Sequence, residues 1–91
     1  MNVLIIEDEK PAADRLEKLL KELDPAIQVK DIIVSVASAV KWLTLHEQPD
    51  LLLLDVNLAD GSSFEIFEKV EITAPVISLP LMMNMHYRLS G

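Results

Sequence analysis

The sequence predicts one small α/β domain built on a parallel sheet, and three observations carry that expectation. Short apolar runs alternate with amphipathic stretches from Met1 to about Ile77. The runs are continuous rather than alternating, as strands buried on both faces require. The resulting order, βαβαβαβ, is that of a parallel sheet with right-handed crossovers. The 91 residues, about half of them apolar, suffice for a single domain with a modest core.

Val3-Leu4-Ile5-Ile6 is the first strand. Pro11 falls where a first-turn proline fits, and Ala12, Leu16, Leu19, Leu20 and Leu23 share one helical stripe behind it. Asp14 with Lys18 and Glu17 with Lys21 have the i,i+4 spacing of outward ion pairs. Asp24-Pro25 ends that helix. Ile27 to Val34 is a second strand, and Lys30 and Asp31 in its middle suit a sheet edge. Ser38 is the expected N-cap of a helix reaching His46, with Val40 and Leu43 inward. Leu51 to Leu54, the most apolar run, is a central strand. Asn57 to Gly61 is a loop, Ser62 with Glu65 forms a capping box for a helix to about Glu71, and Ala74 to Ile77 starts a fourth strand.

Composition excludes several functions. No apolar run approaches the roughly 18 residues that span a membrane, and the acidic start lacks the basic region of a signal peptide, so a cytoplasmic protein is expected. The absence of cysteine removes disulfide scaffolds and thiolate metal sites. A formal charge of −7 argues against direct nucleic-acid binding.

The chemistry gathers where strands end. In a doubly wound sheet, ligands bind beyond the carboxyl ends of the strands. Glu7 and Asp8 follow the first strand and Asp55 the third. If these strands are neighbours, three carboxylates converge, and such charges repel unless a cation lies between them. Oxygen-only ligands suit Mg²⁺, and Asn57 could add a backbone carbonyl. A carboxylate beside Mg²⁺ can accept a phosphoryl group. Acids after strands are common as plain solvated surface; the combination with Asn57 and Asp60-Gly61 favours the chemical reading. His46 reads as a helix-end residue and Trp42 as packing. His86 has no second ligand at metal spacing, and Thr44 and Ser63 lack a base that would make them nucleophiles.

Leu4-Ile5-Ile6-Glu7-Asp8-Glu9 and the segment from Leu53 through Asp55 to Gly61 resemble the two signature stretches of response-regulator receiver domains. The Glu-Lys-Pro-Ala that follows Asp8 is similar to receivers preceding LytTR-type DNA-binding domains. The resemblance implies a flavodoxin-like fold of strand order 2-1-3-4. It also implies Glu7 and Asp8 as the metal-binding pair, Asp55 as phosphoacceptor for a sensor histidine kinase, and Asn57 as carbonyl ligand. Two rivals stand beside it. One is a pseudo-receiver that only binds proteins. The other is a metal-dependent acid-nucleophile phosphohydrolase, which would need an acid where Asn57 stands.

The pattern breaks after Ile77. Pro80 stands about where receivers carry a Ser or Thr, and the chain ends before a fifth strand, a fifth helix or the lysine after that strand. Restoring one nucleotide in the Ser78 codon makes Met82 to Asn84 encode Asp then Glu, and Met85 to Tyr87 encode Ala then Leu. These forced residues match the helix after the fourth strand in LytTR-type receivers. The expectation is therefore an incomplete receiver over 1–77 and a frameshifted tail over 78–91, poor at signalling. Without its last elements, part of the apolar face of Val3, Ile5, Leu51 and Leu53 should be uncovered, so a homodimer or higher oligomer through the fourth-strand edge or the tail is expected.

Overall fold

A computed structural model describes residues 1–58 and 60–79, apart from the side chains of Asn57 and Leu79. The elements are β1 (Asn2–Ile6), α1 (Lys10–Leu23), β2 (Gln28–Ile33), α2 (Val36–Leu45), β3 (Leu51–Asp55), β4 (Asn57–Leu58), β5 (Gly61–Ser62), α3 (Phe64–Lys69) and β6 (Val76–Leu79). Among the described residues, the main sheet is wholly parallel in the order β2-β1-β3-β6, the expected 2-1-3-4 arrangement. None of the described helices is long and apolar enough to cross a membrane.

The apolar runs are continuous because each central strand feeds two cores. Leu4, Ile6, Leu52 and Leu54 point to one face, against Val36, Ala39 and Leu43 of α2 and Ile66 of α3. Val3, Ile5 and Leu53 point to the other, against Ala13, with Leu16 and Leu20 of α1 packed around them. Each fully buried Leu or Ile contributes about 2–3 kcal/mol relative to exposure. Val3 and Ile5 are wholly buried, Leu53 nearly so and Leu51 partly, so the apolar face expected to be uncovered is covered.

Several local expectations are corrected. The inner stripe of α1 is Ala13, Leu16 and Leu20; Leu19 and Leu23 are exposed, because the helix is rotated to set the small Ala13 against the sheet. Asp14 pairs with Lys10 at 3.0 Å rather than with Lys18. Ser35, not Ser38, caps α2: its hydroxyl accepts the Ser38 N–H at 3.1 Å, three residues into the first turn. The capping box at Ser62 forms only in half: Glu65 accepts the Ser62 N–H at 3.0 Å, but the Ser62 hydroxyl accepts the Phe64 N–H, two residues on, at 3.2 Å. The N-cap of α3 is Ser63, whose side chain does not cap it, and the helix is short and gives way at Val70. The stretch read as a loop contains a small antiparallel hairpin, β4 with β5. Finally, β6 runs two residues past Ile77, pairing Ser78 with Leu54 and Leu79 with Asp55. The expected frameshifted tail beyond that point, Pro80 and His86 included, lies outside the described residues.

Candidate functional site

The parallel register of β1 and β3 sets Ile6 beside Leu54, so the residues that follow these strands emerge together at one end of the sheet. The Glu7 N–H continues the β1–β2 ladder, donating to the Ile33 carbonyl at 2.8 Å. Glu7, Asp8 and Asp55 each bring a carboxylate oxygen to within 4.8 Å of the others. Glu7 is buried, while Asp8 and Asp55 are half-buried. Asn57, two residues beyond Asp55, opens β4.

Burial pushes the Glu7 carboxyl up to about 7. The charge of Asp55 and hydrogen bonds shared with Asp55 and Asp8 push the same way, and the Glu9 N–H on Glu7 Oε1, at 3.2 Å, opposes them. Near neutrality Glu7 is therefore close to half protonated, chiefly because it is buried and secondarily because Asp55 and Asp8 lie beside it. A hard divalent cation would supply positive charge there, and the donor set fits one: three carboxylates, two of them accessible to water. The residues can hold a cation, and a carboxylate beside it can act as a nucleophile.

Two neighbours of the acids make backbone contacts that the sequence pattern does not show. Asp60 reaches across 24 positions to the start of α2, where its carboxylate accepts the Val36 N–H at 2.8 Å and the Ala37 N–H at 3.3 Å. The Val36 bond, above all, holds the Asp60 carboxyl below its ordinary range. Ser63, wholly buried, donates its hydroxyl to the Val56 carbonyl at 3.0 Å. Asp60 and Ser63 both stood out in the sequence, but only the path of the hairpin reveals their partners. Away from the acids, an open groove of about 440 Å³ runs beside Lys10, Glu17, Val29, Asp31, Ile32 and Val34.

Comparison with known proteins adds family context. No family model matches the chain. It is 37% identical over 70 residues to the sensory transduction protein LytT of Enterococcus faecalis, an alignment covering 77% of the chain and 28% of that protein. The chain thus spans about a quarter of the length of this relative. Among solved structures, it resembles the response regulator PhyR from Brucella abortus with a TM-score of 0.72 and 30% identity, covering 85% of this chain and 32% of that one. The receiver domain of Erythrobacter litoralis PhyR matches with a TM-score of 0.62 and 32% identity, over 85% of this chain and 61% of that one.

Proposed function

The chain belongs to the response-regulator receiver domains, and from that premise we propose that Asp55 accepts a phosphoryl group from a sensor histidine kinase. Mg²⁺ would be held by Glu7, Asp8 and Asp55, with the Asn57 backbone carbonyl as a further ligand. The observation that carries this reading is the convergence of the three carboxylates within 4.8 Å at the end of the sheet. An Asp55 oxygen attacks phosphorus, the bond to the kinase imidazole breaks, and the imidazole nitrogen leaves with the electron pair. The cation, when bound, offsets the charge gathered on the phosphoryl oxygens and carboxylates. Glu7 and Asp8 would hold it, and Glu7 would give up its proton to solvent in doing so. Asp55 itself is positioned by the last rung of β3.

On this reading the segment is a phosphoacceptor rather than an enzyme. It works in the cytoplasm within a longer protein that carries a LytTR-type DNA-binding domain. Its own charge of −7 suits it to touching a kinase rather than DNA. The receiver portion covers 1–77, the frameshift falls at Ser78, and the first two residues of the shifted tail, Ser78 and Leu79, still complete β6. Phosphorylation is then slow and of little signalling effect, since Pro80 offers no hydroxyl where the family places one, and a lost charge-stabilising donor typically costs about 3 kcal/mol at the transition state.

The test is labelling with a small phosphodonor in Mg²⁺, read by intact mass. One phosphoryl group should be added slowly to the native chain and none to Asp55→Asn. Asp8→Asn should weaken Mg²⁺ binding about 10-fold or more. Labelling that survives Asp55→Asn would move the acceptor elsewhere. Labelling as fast as in a complete receiver would remove the case for an impaired one.

A further inference from the structure

We propose that Ser63 is a positioning residue of the acidic site, its hydroxyl fixing the backbone that links Asp55 to Asn57. The inference deepens the function proposed above and rests on it. Ser63 is wholly buried. Its hydroxyl and its backbone N–H both donate to the Val56 carbonyl oxygen, each at 3.0 Å. Val56 separates the phosphoacceptor from the carbonyl ligand. The peptide joining Val56 to Asn57 is planar, so two donors on its oxygen restrain rotation on either side of it.

Upstream, Asp55 is held in the β3–β6 ladder by its pairing with Leu79. Downstream, Asn57 pairs with Ser62 across the hairpin. Ser63 closes the remaining gap between these two restraints. It is itself held firmly, because its carbonyl accepts the Ile66 N–H at 3.0 Å and Glu65 ties down the preceding residue.

Stability alone does not explain the hydroxyl. The Val56 carbonyl already accepts the Ser63 N–H, so loss of the hydroxyl leaves no orphaned acceptor. A buried hydroxyl must be desolvated, and alanine would occupy nearly the same volume without that cost. What the hydroxyl adds is a second restraint on one peptide. Groups that orient metal ligands in this way typically change metal affinity 10- to 100-fold when removed.

The experiment is calorimetric titration of the full chain with Mg²⁺, comparing the native protein, Ser63→Ala, Ser63→Cys and Gln48→Ala, with a melting curve for each. Gln48 is the control: its amide bonds to the Glu71 carbonyl and the Thr73 N–H, each at 3.2 Å, and braces the loop ahead of β6. Ser63→Ala should weaken Mg²⁺ binding about 10-fold with little change in melting. Ser63→Cys, a weaker donor of similar size, should fall between. Gln48→Ala should lower the melting temperature and leave the affinity unchanged. Native-like affinity in Ser63→Ala overturns the positioning role and leaves the proposed function standing. Equal weakening in Gln48→Ala shows general loosening and also overturns it. A native chain that binds no Mg²⁺ overturns the functional reading and this inference together.

Discussion

At Glu7, burial and function oppose each other. A carboxyl so enclosed, with Asp55 and Asp8 beside it, keeps its proton up to about pH 7, against an ordinary value of 4.5. The folded value lies above the unfolded one, so the contribution to stability is fully present below about pH 4.5 and is lost as pH rises through about 7. Without divalent ions, the unfolding free energy should fall by about 3 kcal/mol across that window. Urea unfolding over a pH series checks this. Glu7→Gln should flatten the profile, and Mg²⁺ should restore stability at neutral pH by favouring the ionised form. A flat native profile would mean that Glu7 is ionised and well solvated. The acidic residues themselves were legible, since acids after buried strands stand out in the chain. The perturbation of Glu7 was not, because it depends on strand neighbours and on depth.

The β4–β5 hairpin shows what an element can hide. Its turn segment read as a loop, since two-residue strands leave no hydropathy period. Gly61 adopts φ +146°, and a Cβ there would collide with the Glu65 carboxylate that holds the Ser62 N–H. Gly61→Ala should therefore cost about 2 kcal/mol, measurable as a shift in the urea midpoint. Asp60, in the same turn, secures α2. Because hydrogen bonding lowers its folded pKa, this tie is present above the ordinary value of 3.8 and is lost as pH falls through the folded value. Asp60→Ala should speed amide exchange at Val36 and Ala37 relative to the rest of α2. Unchanged exchange there would show that Ser35 alone secures the helix start. The Glu65 bond to the Ser62 N–H was readable, but the N-cap of α3 falls one residue later at Ser63, and the α2 cap falls three residues earlier than expected because Ser35 and Ser38 are chemically equivalent candidates.

For the whole molecule, charge and edges decide association. Among the described residues, β6 closes one side of the sheet with a single bonded neighbour, β3, and such a strand offers its outer backbone groups to another chain. Self-association through that edge or by exchange of the tail, most simply with two-fold symmetry, is the expected behaviour, opposed by a formal charge of −7 and so strengthened by salt. Sedimentation over a concentration series at two ionic strengths tests it, and a monomer under every condition would rule it out. The buried state of Val3, Ile5 and Leu53 already removes one driving force inferred from the sequence, leaving the strand edge as the stronger reason. By itself the sequence determined the parallel α/β class and the three acids, because hydrophobic runs and strand-terminal charges are written in consecutive residues; the strand order came only through the resemblance to receiver domains. Only the tertiary structure decided which face of α1 is buried, how deep Glu7 lies, and that Asp60 and Ser63 grip backbone in other elements. Those properties depend on packing partners distant in the chain, and no local pattern encodes them.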